Sequence, residues 1–243
     1  MNLRRVELAE TVSTNTFAKG LDDAADGVWT LVTAEFQTAG RGAGENRWES
    51  ERSKNLLFSL RMKPKGVAAA RMFVLSEALA LAVCGALDEY GSGFCIKWPN
   101  DIYHADRKMV GMLIENTLRG DLVDTSVMGV GINVNQRLFR SDAPNPVSLF
   151  QVLGHEVERE TLLANVVSHL AEECARLADG QYDALHQRYV ARLYRRGEEH
   201  AYRDAAGTFR ATLTDVEPTG HLLLRDTQGL ERRYAFKEIT YII

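Results

Sequence analysis

Residues 37–48, QTAGRGAGENRW, constrain the fold more than any other stretch of the chain. Gly40, Gly42 and Gly44 alternate with other residues, and Arg41 stands between the first two. Glycine tolerates positive φ and lets backbone approach a ligand closely. The guanidinium fork of an arginine matches a carboxylate or a phosphate. Apolar, β-rich runs at residues 29–36 and 56–62 flank the stretch. The pattern therefore predicts a long loop between two strands of a sheet, a length that in compact domains usually means a lid or a binding loop. No G-x-x-x-x-G-K-[ST] occurs anywhere, and the G-x-G-x-x-G spacing fails at Glu45, so neither phosphate fingerprint explains the glycines. A glycine-rich loop with one arginine is by itself more often a plain surface loop. Its meaning depends on what converges on it.

The rest of the chain reads as α+β. Residues 6–12 suit a strand, and Ser13-Thr14-Asn15 then opens a helix running to about residue 23. Ser13 or Thr14 can serve as its N-cap, and the same hydroxyls and amide stand where a polar ligand could meet them. Strands follow at 29–36 and 55–62. Residues 71–90 carry Ala and Leu on most sides, which marks a helix buried against a sheet. The strand at 94–98 holds Lys97 between apolar neighbours and breaks at Pro99-Asn100-Asp101. An ammonium at the mouth of a buried strand needs an anion; Asp101 is the local candidate, a bound carboxylate or phosphate the other. Residues 102–117 form a hairpin with its turn near 105–107, and Lys108 reads first as a solvated charge at the tip. In the strand at 122–135, Gly129 and Gly131 remove side chains at alternate positions, opening a slot for a flat ligand or marking a bulge. Asn133 continues the same face. Helices at 147–152, 161–177 and 183–194 read as scaffold. From Gly197 the pattern changes to short strands at 201–202, 208–216, 222–226 and 232–236, a small β-barrel of about fifty residues. The expected division is 1–195 and 196–243.

Bulk properties limit the function. A net charge of −4 over 243 residues gives no general attraction for nucleic acid, so any polyanion site must be a local cluster. Cys84, Cys95 and Cys174 are odd in number and widely spaced, which suits buried thiols in a reducing compartment rather than a disulfide or metal framework. The N-terminus has no apolar signal core, and no run reads as long enough to span a bilayer. The expectation is a cytoplasmic protein without DNA or membrane partners.

Five motifs in order, STN after the first strand, AEFQTAGRG, KWPND, GMLIEN and GVGINVN, resemble those of the biotin–protein ligases, and the resemblance covers nearly the whole chain. It implies a mixed central β-sheet with flanking helices, as in the biotinyl/lipoyl ligase core, plus a small C-terminal SH3-like β-barrel. By the resemblance the first residues match the first ligase strand, and the expectation is a form without the N-terminal helix-turn-helix of the regulatory members. The implied chemistry has two steps: biotin and MgATP give biotinyl-5′-AMP and pyrophosphate, and a lysine of a biotin carboxyl carrier domain then takes the biotin. By the resemblance, Ser13, Thr14, Asn15, Gln37, Gly40, Arg41, Gly42, Lys97, Gly129 and Gly131 meet biotin. Arg41, Gly42, Ala43, Trp48, Asn100, Lys108 and Asn133 meet ATP or the adenylate. Lys97, Arg41 and Asp101 carry the reaction, Lys97 between the biotin carboxyl and the α-phosphate. Mg²⁺ arrives on the ATP phosphates, with no dedicated protein cage. A homodimer through the sheet is compatible with this picture. The loop departs from the family wording GRGRxGRxW: Ala43 and Asn46 stand where arginines are usual, and Glu45 where a glycine is. Fewer arginines predict weaker retention of the adenylate. Two rival readings are a lipoate or octanoate ligase of the same superfamily, whose tail would need a longer apolar tunnel, and a non-catalytic biotin sensor.

Overall fold

The structure is a computed structural model; it describes residues 2–22, 26–42, 44, 46–141 and 144–243. Seven strands form the first sheet: β1 (Asn2–Leu8), β2 (Val28–Ala34), β3 (Leu56–Met62), β4 (Phe94–Lys97), β5 (Asp101–His104), β6 (Arg107–Arg119) and β7 (Leu122–Ile132). Their order is β1-β2-β3-β7-β6-β5-β4. Only β1 and β2 run parallel, so the sheet is mixed. β1 starts four residues before the position the sequence suggests and ends at Leu8. It is an edge strand with mostly exposed side chains, so it lacks the apolar alternation that would have announced it. Thr11 still joins the sheet through an isolated bridge to Gln37.

Alternation separates the two faces. Leu56, Phe58, Leu60 and Met62 of β3, Val110 and Met112 of β6, and Met128, Val130 and Ile132 of β7 enter the main core. They share this core with α2 (Val74–Asp88), on which α4 (Arg159–Ala178) and α5 (Tyr182–Ala191) pack. With a 3₁₀ turn at Ala69–Arg71, α2 makes a segment, Ala69–Asp88, that is long and apolar enough to cross a membrane, contrary to the sequence expectation. Its apolarity has a plainer use: most of the segment is buried inside the protein. The opposite face of the sheet carries α1 (Thr14–Lys19), which seats Ala18 on Val32 and Val127. This helix stops at Gly20, earlier than its polar continuation suggested. A short α3 (Leu149–Leu153) opens with a capping box between Ser148 and Gln151.

The remaining strands, β8 (Glu199–Asp204), β9 (Gly207–Val216), β10 (Leu222–Asp226), β11 (Glu231–Tyr234) and β12 (Thr240–Tyr241), form an antiparallel five-stranded sheet in the order β11-β10-β9-β8-β12. It lies where the SH3-like module was expected, with β12 added. This module shares the main core through Tyr202, Leu213, Leu222, Leu224 and Tyr241. Its connecting segment covers the free edge of β4: Ile96 donates its N–H to Arg192 O (2.9 Å), and Tyr194 donates to Ile96 O (2.8 Å). Trp98 Nε1 donates to Gly220 O (3.0 Å). His186 on α5 stands between Glu77 of α2 (2.7 Å) and Asp215 of β9 (3.1 Å). The C-terminal module is thereby docked against the end of the sheet where KWPND turns.

Candidate functional site

Strand register assembles the site. Lys97 pairs with Asp101, Asp101 with Gly111, Gly111 with Gly131, and Gly131 with Leu57. Five strands thus contribute to one row across the sheet. In the next row Leu113 pairs with Gly129, and Gly129 with Ser59. Both rows lie on the α1 face, away from the main core. Over them opens a cleft of about 710 Å³, within the size range of small-ligand sites.

One end of the cleft is neutral, buried and hydrogen-bonded within the protein. Ser13, Thr14 and Asn15 are each 3–4% exposed. Ser13 occupies the N-cap position but makes no side-chain cap; the free Thr14 N–H is taken by Gln37 Oε1 at 2.8 Å, and Thr14 Oγ1 donates to the same oxygen at 3.1 Å. Ser59 Oγ lies 2.7 Å from Thr14 Oγ1 and 2.5 Å from Asn15 Oδ1. Asn15 Nδ2 donates to Leu113 O and to Glu115 Oε2, both at 3.0 Å. Ser59 and Glu115 have no role in the sequence reading, yet they hold this network. A serine among the apolar residues of LLFSLRM and the acid within GMLIEN are the only signals the sequence gives of them. Desolvation pushes Glu115 upward, but hydrogen bonds from Lys19 and Asn15 and the charges of Lys19 and Arg41 outweigh it, holding the carboxyl below its ordinary range.

The other end is cationic. Arg47, Lys97, Lys108 and Lys237 line it, with Arg41 reaching from it to Glu115 behind the neutral network, against a single side-chain carboxylate, Asp101, among the described lining residues. This is the local cluster that the negative net charge requires of any anion site. Lys97 makes no ion pair among the described residues; its ammonium sits 4.6 Å from the centroid of the Tyr241 ring and 5.4 Å from that of Tyr103. Burial lowers its pKa, Asp101 opposes that, and the charges of Lys108 and Arg195 add to it. Asp101 bonds Lys108 at 2.7 Å, not Lys97. The local carboxylate expected to neutralise Lys97 is therefore taken, and Lys108 turns into the cleft instead of capping the hairpin in solvent.

The glycine loop folds back as a narrow hairpin. Arg41 bridges Arg47, Gly42 N–H donates to Asn46 O (2.7 Å), and Trp48 N–H donates to Gly40 O (2.9 Å). Arg41 reaches Glu115 at 3.4 Å. Gly40 is buried beneath the lining, where a side chain would strike Trp48 O at 2.8 Å and Gln37 Nε2 at 3.0 Å; its part is to let the loop close. Ala43, expected at the nucleotide, and Glu45 lie outside the described residues. The slot expected over Gly129 and Gly131 is filled by protein. A Cβ on Gly129 would collide with the Asn15 carboxamide, and one on Gly131 or Gly111 with the Trp48 indole. Trp48 Nε1 is buried there without a hydrogen-bond partner, and Lys108 lies 5.8 Å from the ring. Asn100 lines the cleft with its amide committed, since Nδ2 donates to Met112 O. Asn133 does not reach the cleft. It lies just past β7, buried, with Nδ2 donating to Val147 O at 3.2 Å: the strand ends before its alternation can place the side chain on the site face. The C-terminal module adds Phe236, Lys237, Ile239, Thr240 and Tyr241 to the lining, none of which local pattern had marked.

Comparison with known proteins agrees with this architecture. The model of the biotin/lipoate A/B protein ligase family matches residues 8–133. The bifunctional ligase/repressor BirA of Bacillus subtilis (strain 168) is 28% identical over 212 residues, 85% of this chain; the chain spans 64% of that relative's length. The biotin–[acetyl-CoA-carboxylase] ligase of Paracoccus denitrificans is 30% identical over 234 residues, 91% of this chain and 94% of that one. The solved biotin protein ligase from Aquifex aeolicus in complex with biotin and ATP superposes with a TM-score of 0.80 at 26% identity, covering 98% of this chain and 97% of its own.

Proposed function

The chain belongs to the biotin/lipoate A/B protein ligase family, and we propose that it activates biotin with ATP and transfers it to a lysine of a biotin carboxyl carrier domain. In the first step a biotin carboxylate oxygen attacks the α-phosphorus, the bond to the β-phosphate oxygen breaks, and pyrophosphate leaves. In the second, a neutral lysine amine attacks the acyl carbon of biotinyl-5′-AMP; an amide forms, AMP leaves, and the amine loses its proton. Charge is the obstacle in the first step, because the carboxylate and the triphosphate repel. One observation carries the reading: Lys97 is a largely buried ammonium whose neighbouring carboxylate is bound elsewhere. A ligand anion is the partner such a group lacks. Lying at the β4 end of the sheet row, beside the Asp101–Lys108 pair, Lys97 would bridge the biotin carboxyl and the α-phosphate.

The neutral end suits a ureido head, which needs a few fixed donors and acceptors in dry walls. That pairing favours biotin over lipoate, whose ring offers no such groups. Arg41 and Lys108 would hold phosphate oxygens as each exchanges its carboxylate, Glu115 or Asp101, for the ligand. Magnesium would arrive carried on the ATP phosphates. Trp48, with its unsatisfied Nε1, would shift from the Gly111–Gly131 pair and cover the adenylate against water, as lids do for hydrolysable intermediates. The test is pyrophosphate exchange into ATP by the purified protein: stimulation by biotin and not by lipoate is expected, followed by label transfer to a carrier domain. Exchange driven by lipoate or octanoate, or none with any acid, would overturn the reading.

A further inference from the structure

The turn between β11 and β12 holds a lysine that the chemistry above leaves unassigned. Lys237 has φ 72, a region that residues bearing a Cβ rarely adopt and that glycine enters without strain. It is exposed, so no packing of its own side chain accounts for it. Its side chain instead crosses from the C-terminal module to the tip of the glycine hairpin. The ammonium lies against Gly44, itself at φ 68, so closely that a Cβ there would collide with it. Lys237 lines the cleft together with Arg41 and Gly42 from the hairpin and Phe236 from its own turn. Arg41 is paired with Glu115 and Lys108 with Asp101, whereas Lys237 makes no ion pair among the described residues.

We propose that Lys237 binds the phosphates of the nucleotide, bringing from the C-terminal module the positive charge that the sequence of the hairpin tip lacks. The inference rests on reading the cleft as a nucleotide-activation site. A polyphosphate between Arg41 and Lys237 would be held by two separate parts of the chain. Its binding would pin the hairpin against the module, and its departure as pyrophosphate would release them. A positive charge on the module also accounts for a lysine where glycine would be unstrained.

Lys237→Gly separates the role in binding from any role in folding, because it removes the charge and relieves the backbone together. In biotin-dependent pyrophosphate exchange, Lys237→Gly is expected to raise the KM for ATP about tenfold, the scale of a lost hydrogen bond to a charged group. The KM for biotin should stay unchanged and the thermal midpoint should stay equal or rise. Lys237→Arg should return the KM for ATP to near its original value. An unchanged KM for ATP in Lys237→Gly would overturn the assignment. Should the unaltered protein show no biotin-stimulated exchange, the ligase reading fails by itself. ATP binding measured by calorimetry on both proteins then tests Lys237 alone, and equal Kd values would reject it.

Discussion

The two ends of the cleft are built on opposite plans. At the neutral end, Thr14, Asn15 and Ser59 are nearly sealed from water on α1 and the middle of the sheet, and they hydrogen-bond with one another and with the half-buried Gln37 at the start of the glycine loop. At the cationic end, Arg41, Lys97, Lys108 and Lys237 come from a loop, two strands and the C-terminal module. They are paired with single carboxylates, with aromatic rings or, in Lys237, with no carboxylate among the described residues. A preformed network suits a rigid head group whose shape must be recognised. Separate cations suit an anion whose charge and extent change during the reaction. The contrast teaches that specificity and catalysis are placed in different mechanical settings: one side is fixed before the ligand arrives, and the other is completed by it.

The contrast breaks most sharply at Lys97. Lys97→Ala should lower kcat for adenylate formation about 10²- to 10³-fold, as for a lost preorganised donor, with a smaller loss of biotin affinity by calorimetry; a loss confined to biotin affinity would assign Lys97 to the neutral end. Gly129→Ala strikes that end itself. Its methyl would displace the Asn15 carboxamide, so the KM for biotin should rise at least about tenfold while the KM for ATP holds, with stability falling about 1–3 kcal/mol in a denaturant titration. Tyr241→Leu removes a ring beneath Lys97, an interaction of about 0.5–2 kcal/mol. Because Lys97 leaves the ring to bridge the two anions, the variant should hold kcat or raise it by up to about tenfold without altering biotin affinity; equal losses in both would mean that Tyr241 serves only the core. Ala43→Arg should slow release of biotinyl-adenylate in the absence of a carrier domain by a few-fold, on the scale of a partly exposed charge contact, and an unchanged rate would count against the weakened clamp. The smallest effect concerns the docking of the cationic end. The hydrogen bond to Glu77 raises the His186 pKa against its desolvation, with Asp215 adding to the rise. A raised histidine contributes stability that is complete below about pH 6.5, its unfolded value, and lost as pH rises through the folded value. Hydrogen exchange in β8–β10 should therefore quicken on going from acid to alkaline pH, beyond the intrinsic pH effect, and His186→Ala should abolish that excess.

What was legible in the sequence follows the same division. The fold class, the strands of the main sheet other than β1 and the residues Ser13, Thr14, Asn15, Gln37, Arg41, Lys97 and Asp101 stand in local patterns, and strand register then brings them to one cleft. Hydrophobic periodicity reports which face a residue takes, not which polar groups will meet there. Ser59 and Glu115 went unassigned for that reason, although each is visible as a polar interruption in an apolar strand. Gly129 and Gly131 were rightly read as missing side chains, but what fills the space comes from Asn15 and Trp48, far away in sequence. The Lys97–Asp101 pairing failed because Lys108 reaches the same carboxylate from the neighbouring strand. Lys237 and Tyr241 were out of reach altogether: their place depends on how the C-terminal module docks, and no local spacing encodes that.

The bridging position of Lys97 is most directly tested by a crystal structure with a non-hydrolysable analogue of biotinyl-5′-AMP. Its ammonium should leave the Tyr241 ring and lie within about 3 Å of both a phosphate oxygen and the oxygen of the former biotin carboxyl. An adenylate bound with Lys97 still resting on Tyr241, and with neither oxygen within reach, would contradict it.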